Sequence, residues 1–346
     1  HILAEPMRTN LIPYSEDYNG TGWGLTGSSI NATSVPSPDG VSNMSELREN
    51  TSLSSHRIYK SSITVANNST NSISFFVKSN GRNWIVLYEE KSATGYYFNI
   101  QTGLLGSFFG SEPIGHKITN FGNGVFKISI TVTVPLQLLT PTIYMTTANS
   151  ASLSYQGDGT SGIYLWGAQS EEGSYPTSYI PTSGSTVTRN QDIFTRDGIG
   201  SLINSTEGVL FVEMAALADD GIDRYITLSD GGLRINAIRI YYFNTGGFIF
   251  FQKYVGGTRT TNMSTTSYTQ TSFNKLAIRY NSTTVDVWAN GVKILTNADT
   301  NAITSGTLNS LKLSQGDGTN TFFGKVKQLQ VYDTALTDTQ LAALTS

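Results

Sequence analysis

The chain of 346 residues has no cysteine, so neither disulfides nor thiol chemistry nor cysteine-ligated metal holds or runs it. Charge is scarce too. Asp, Glu, Lys and Arg make up 14% of the residues, against the usual quarter, and 22 basic against 25 acidic side chains leave a net charge of −3. With no basic block, the chain lacks the electrostatic footprint of a nucleic-acid binder. No apolar run approaches the roughly 18 residues of a membrane span, so membrane insertion is not expected. The opening His1-Ile2-Leu3-Ala4-Glu5-Pro6 has neither the charged nor the apolar region of a signal peptide. Starting without an initiator methionine, it reads as a piece of a longer chain. Histidine occurs only at positions 1, 56 and 116, which removes zinc sites and Ser-His-Asp triads from the second half.

What is abundant is Ser, Thr, Asn and glycine, with 34 Gly, the texture of many short strands joined by polar turns. The clearest strand is Val125–Val134, where Phe126, Ile128, Ile130, Val132 and Val134 alternate with Lys127, Ser129, Thr131 and Thr133. That period of two marks a half-buried antiparallel strand. Further strands are expected over 72–78, 84–89, 96–100, 143–146 and 163–166. In the second half they are expected over 208–215, 225–228, 233–243, 248–254, 275–280, 285–289, 292–295, 311–313 and 325–332. Asn290-Gly291 reads as a two-residue hairpin turn, and Thr337 with Gln340 as a capping box before a short helix. Gln-Gly-Asp-Gly-Thr occurs at 156–160 and again at 315–319, each time just ahead of the last strand-like run of its half. One Asp per pentapeptide offers few ligands for calcium, so a turn is the reading, with structural calcium unsupported by a clear motif. The run 174–188 carries Pro176, Pro181 and Gly184 and resists helix and central strand. The expectation is therefore all-β: two tandem antiparallel β-sandwich (jelly-roll) domains with a short C-terminal helix. Residues 1–9 form an N-terminal segment, 10–183 one sandwich and 184–346 the other.

Two resemblances sharpen this. The opening Glu5-Pro6-Met7-Arg8-Thr9-Asn10-Leu11-Ile12-Pro13-Tyr14-Ser15-Glu16-Asp17, followed by Trp23, resembles the start of a carbohydrate-binding-module-like jelly roll common in tailed-bacteriophage structural proteins. Tyr164-Leu165-Trp166-Gly167-Ala168-Gln169, continuing through Glu172-Gly173 to Pro176-Thr177-Ser178-Tyr179-Ile180-Pro181-Thr182, is similar to that module's end. The second half resembles a concanavalin A-like (laminin-G-like) jelly roll, through Val285-Asp286-Val287-Trp288-Ala289-Asn290-Gly291 and Leu329-Gln330-Val331-Tyr332. That pattern specifies fold better than ligand. The pairing implies a virion surface or tail-fibre protein, with other virion proteins as partners.

Catalytic constellations are thin. A glycosidase on such a scaffold needs two carboxylates side by side, and Glu213 has none at the next positions on its strand face. Asp219, Asp220 and Asp223 read with Gly221 as a solvated loop. Ser45-Glu46-Leu47-Arg48 with His56 superficially resembles part of an alginate-lyase motif, but the remaining lyase motifs, which would supply the separate base and acid, are missing. His56 and His116 read as structural residues, and no metal or catalytic site is assigned. The positive signal is aromatic: 18 Tyr, 16 Phe and 4 Trp. Sugars stack their C–H faces on rings while Asn, Gln, Arg and carboxylates bond their hydroxyls. Trp84, Tyr88, Tyr96 and Tyr97 form one such concentration. Arg239, Tyr241, Tyr242 and Tyr254 form another, favoured as the exposed patch, with Trp288 as core.

The expectation is a non-enzymatic, homo-oligomeric protein on a virion surface or otherwise extracellular, binding a glycan or host cell-surface polysaccharide. A purely structural phage decoration or fibre protein, and a secreted bacterial glycan-binding module pair of a polysaccharide-degrading system, are the alternatives.

Overall fold

The computed structural model describes residues 1–266 and 268–346, and among them every pairing between strands is antiparallel apart from isolated bridges. The chain divides into two compact units, Met7–Asn190 and His1–Pro6 with Gln191–Ser346.

The first unit is a sandwich of two large sheets. One runs in the order Gly115–Gly122, Val125–Val134, Ser69–Asn80, Gly162–Glu172, Ser45–Glu49, Ser28–Asn31. The other runs Leu104–Gly110, Thr94–Asn99, Trp84–Glu89, Pro141–Thr146, Leu53–Lys60, Ser154–Gln156, with Trp23–Thr26 also on Leu53–Lys60. Alternation decides which side chains meet. Phe126, Ile128, Ile130, Val132 and Val134 point into a core with Ile73, Phe75, Val77, Ile85, Leu87, Phe98, Ile143 and Met145. Each such side chain, buried, contributes about 1.5–3 kcal/mol. Because Ile85, Leu87 and Phe98 point inward, Trp84, Tyr88 and Tyr97 point outward.

The opening and closing runs that carry the phage resemblance form one clamp. Asn10, fully buried, donates to Ala168 O at 3.1 Å and Ile180 O at 2.9 Å, while its Oδ1 accepts from Ile12 N and Ser170 N. Gln169 Oε1 accepts Ile180 N at 2.7 Å, and Thr182 N donates to Ser15 Oγ at 2.9 Å. Gly167, at φ +62°, sits where a Cβ would come within 3.0 Å of Phe76, which packs on Trp166 and Tyr179. The proline-bearing run 174–188, which spans the expected boundary, is thus tied into the first unit, with Thr177, Ile180 and Thr182 buried. Val187–Arg189 then pairs with Arg8–Asn10, which carries the division past the expected boundary to Asn190. Residues 2–4, expected in a separate N-terminal segment, pair with Val326, Lys325 and Gly324 as an edge strand of the second unit.

In the second unit one sheet runs Ile2–Ala4, Gly324–Tyr332, Gly208–Ala216, Asn274–Tyr280, Thr284–Ala289, Val292–Ala298. Its partner runs Thr195–Asp197, Ser310–Lys312, Arg224–Ser229, Ala237–Tyr242, Ile249–Val255, Thr258–Thr265. Leu210, Val212, Leu276 and Ile278 of the first pack against Ile226, Leu228, Ile238, Ile240, Tyr242 and Phe251 of the second. The turn at Asn290 (φ 46°) and Gly291 (φ 85°) has the two left-handed residues of a type I′ hairpin. The Thr337–Gln340 capping box opens the helix Asp338–Thr345, whose Leu341 packs with Val209, Phe211, Ala277 and Trp288 on the outer side of that sheet. Trp288 is core, as expected, but of this outer cluster.

Candidate functional site

The outer face of the seven-stranded sheet in the first unit is built by register. Tyr97, Val86, Tyr144 and Arg57 lie in one row across four strands, and Gly95, Tyr88, Thr142, Tyr59 and Gly24 in the next. The two glycines let rings lie flat: a Cβ at Gly95 would stand 2.7 Å from Tyr88 Cδ2, and one at Gly24 2.3 Å from Tyr59 Cζ. Arg57 lies between two aromatic faces, its Cζ 5.1 Å from the Tyr59 ring centre and 5.2 Å from that of Tyr144. Its Nη1 donates to Glu90 Oε1 at 2.7 Å, and that same oxygen accepts from Tyr144 OH at 2.9 Å and Thr142 Oγ1 at 3.1 Å. Arg57 and Glu90 each keep 26% of their side-chain surface in solvent. Burial, then the charge of Glu90, pushes Tyr144 up to about 12, and burial raises Tyr88 likewise, so both hydroxyls remain donors at neutral pH.

Beside this row lies an open depression of about 530 Å³, floored by Tyr97 and walled by Phe108, Phe109, Ala151 and Leu153. Tyr97 OH donates to Ala151 O at 3.0 Å, fixing the ring beneath the opening. Of the sequence-derived set, Trp84, Tyr88 and Tyr97 share this face. Tyr96 does not: one residue before Tyr97, it points to the other side of the sheet, packs on the core and stacks on His116 at 3.8 Å and 11°. Arg57, Tyr59, Glu90, Thr142 and Tyr144 were not foreseen. Only strand pairing brings positions 57 and 144 beside 88 and 97.

In the second unit the favoured patch is differently placed. Tyr242 is fully buried in the core, where its OH donates to Met214 O at 2.9 Å, so it leaves the patch. Arg239, Tyr241 and Tyr254 do face outward from the sheet, yet they are covered, at 0%, 5% and 6% exposure. Tyr225, which pairs in register with Tyr241 and was missed in the sequence, stacks on it at 4.1 Å, and Phe250 stacks on its far side at 5.3 Å. Arg239 lies 4.9 Å from the Tyr254 ring and 5.7 Å from that of Tyr225, and among the described residues none of its three guanidinium nitrogens has a hydrogen-bond partner. Burial, reinforced by Arg234, draws its pKa below the ordinary arginine value.

Apart from Asp219, which is exposed, the carboxylates of the sequence-derived catalytic candidates are bound into the fold. Glu213 pairs with Lys327 at 3.1 Å, and Glu46 with Arg48 at 2.8 Å. Asp220 pairs with Arg224, and Asp223 accepts from Tyr225 OH and Asn244 N. His56 is fully buried between Gly27 O and Tyr155 O. Both pentapeptides are Asx turns: Asp158 Oδ1 accepts Thr160 N and Ser161 N, and Asp317 Oδ1 accepts Thr319 N. Among the described residues no group of three or more His, Cys, Asp or Glu could hold a metal ion, and no helix is long and apolar enough to cross a membrane.

Against known proteins, residues 210–342 match the family model of the concanavalin A-like lectin/glucanases superfamily (laminin-G type). No curated protein matches the chain in sequence. Among solved structures, the chain is similar to the carbohydrate-binding module of the Ruminococcus gnavus IT-sialidase, there bound to α2,3-sialyllactose. The identity is 16%, the match covers 44% of this chain and 98% of that one, and the TM-score is 0.37. It is similar to a heptameric SAP-like pentraxin from Limulus polyphemus (14% identity, 42% and 71% coverage, TM-score 0.35). Sheep galectin-11 also matches, at 11% identity, 40% and 97% coverage and a TM-score of 0.30.

Proposed function

We propose that the chain is a non-enzymatic glycan-binding protein whose first-unit sheet face is the binding platform. The observation that carries this is Arg57. Half-buried between the rings of Tyr59 and Tyr144 and paired with Glu90, it presents a charged donor and acceptor on the face that also carries Tyr88 and Trp84. Rings for the C–H faces of a sugar and fixed polar groups for its hydroxyls is the combination saccharide recognition needs. The concanavalin-type family match in the second half supports glycan binding, and the resemblance of the first half's opening and closing runs to a tailed-phage module is the ground on which we place the protein on a phage particle. There it takes host-surface or environmental polysaccharide.

A glycan array and a host-cell adsorption assay, both on the intact protein in its native oligomeric state, test the reading. Binding lost on Arg57→Met with the melting temperature retained is the expected result. Absence of any binding would sink it in favour of the structural, assembly role. That second reading has its own observation: the edge strand Leu104–Gly110 leaves Leu104, Leu105 and Phe108 exposed at 61%, 45% and 52%, an apolar edge suited to another copy of the chain.

A further inference from the structure

A buried cation with no partner is among the least favourable arrangements a fold can hold, and natural structures rarely keep one without a use. Arg239 is such a group. It is fully buried, its three nitrogens have no hydrogen-bond partner among the described residues, and Tyr225 and Tyr254 flank it. Its row neighbour Thr227 carries the 314–320 turn, Thr227 Oγ1 donating to Ser314 O at 2.7 Å. In that turn Gln315 and Gly316 are buried, while Asp317 to Asn320 are exposed. The nearby carboxylate, Asp317, accepts Thr319 N and Thr319 Oγ1 through Oδ1 and feels the charge of Arg239, but makes no hydrogen bond to it.

The first unit shows the same parts in a completed form. There the other Gln-Gly-Asp-Gly-Thr turn lies beside Arg82, which rests 5.1 Å over the Tyr155 ring. Arg82 is gripped by the buried Glu49: Nε donates to Oε2 at 2.7 Å and Nη2 to Oε1 at 2.5 Å. Glu49 also accepts Asp158 N of the turn at 2.8 Å. Pentapeptide turn, tyrosine face and arginine recur in the second unit, but among the described residues no carboxylate there grips the arginine with hydrogen bonds.

We propose that Arg239 is the recognition group of a second site, under the 314–320 turn, for a small ligand bearing a carboxylate, and specifically an acidic sugar residue. The guanidinium fork matches a carboxylate bidentately, as Arg82 already matches Glu49. The flanking Tyr225 and Tyr254 rings suit the C–H face of a pyranose. Entry requires the turn to lift from Thr227. The site is independent of the first-unit platform, since every residue in it belongs to the second unit, so the failure of one leaves the other standing.

The test is scanning calorimetry of the full chain, with saturation-transfer NMR for direct contact, at matched ionic strength. The probes are sodium glucuronate, sodium acetate, sodium sulfate and neutral methyl glucoside. Glucuronate is expected to raise the melting temperature of the second-unit transition more than acetate, and to receive saturation. Methyl glucoside and sulfate are expected to do neither. Arg239→Met should abolish the glucuronate effect without lowering the ligand-free melting temperature, because it removes a buried charge that no hydrogen bond satisfies. Arg239→Lys, which keeps the charge and loses the fork, should weaken glucuronate by about tenfold or more. No shift with glucuronate, a shift that survives Arg239→Met, or a lower ligand-free melting temperature in that variant would overturn the proposal. Equal shifts with acetate would overturn the sugar assignment.

Discussion

Arg57 and Arg239 occupy comparable positions, each on an outward face between tyrosine rings, and differ in what completes them. Glu90 neutralises Arg57 while leaving it partly in solvent, so its neighbours can be truncated without opening a core. Tyr88→Ala should therefore weaken glycan binding by about 1–3 kcal/mol with little change in melting temperature, as read by titration and thermal melts. A matching loss of stability would make Tyr88 a packing residue. Asp286 carries the pH dependence. Burial alone would push its carboxyl up, but Thr296, Arg279 and Lys293 bond it and hold it down at about 2. A carboxyl depressed in the folded state stabilises above its ordinary value of 3.8 and loses that contribution as pH falls toward 2. Denaturant titrations of the second unit should show stability dropping across that window, and Asp286→Asn should flatten the drop while costing about 2–4 kcal/mol at neutral pH. Local chemistry of this kind was only half legible. Trp84, Tyr88 and Tyr97 could be grouped because they are close in sequence, whereas Arg57 and Tyr144 are brought to them by register alone. Tyr242 was misjudged because the phase of its strand is set by which neighbours, Ile238 and Ile240, take the core.

Among the elements, those with clean alternation or a turn signature were readable: Val125–Val134, Trp84–Glu89, the Asn290-Gly291 hairpin and the capped helix all stand where pattern puts them. The longer strands that pattern does not mark, Leu53–Lys60, Leu104–Gly110, Gly115–Gly122 and Thr258–Thr265, are rich in polar residues or glycine. Three of them lie at sheet edges, where one-sided or weak burial erases the period of two. The motif that carried the phage resemblance is explained at this scale. Its Asn10, Gln169 and Thr182 bond the two ends of the first unit together, so it marks a fold closure and not a ligand site. Asn10→Ala should accordingly destabilise the first unit by about 2–4 kcal/mol, since it strands Ile12 N, Ser170 N and two carbonyls in a buried setting. Denaturant melts check this, with glycan affinity of the still-folded fraction expected to stay unchanged. Thr337→Ala should cost only about 1 kcal/mol, the ordinary value of a helix cap.

For the whole molecule, composition and the repeated pentapeptide were enough to give two sandwiches, but not where each begins, because a run rich in proline and hydroxyl residues is compatible with a linker and with a packed closing segment. Here Thr177, Ile180 and Thr182 pack, Val187–Arg189 pairs with Arg8–Asn10, and Ile2–Ala4 joins the second unit. Fragment stability distinguishes the two divisions. A fragment of residues 7–190 keeps the clamp and its short two-stranded pairing and should melt cooperatively by itself. A fragment of residues 10–183 loses Val187–Arg189 and the strand opposite it, and should melt lower. Residues 191–346 alone lack the edge strand that covers Gly324, Lys325 and Val326, and should fold with a lower melting temperature that a peptide of residues 1–6 raises on addition. Calorimetry of the three fragments settles it. Equal melting of 7–190 and 10–183, or indifference of 191–346 to the peptide, would place the boundary back at residue 183 and make the terminal strands incidental to both units.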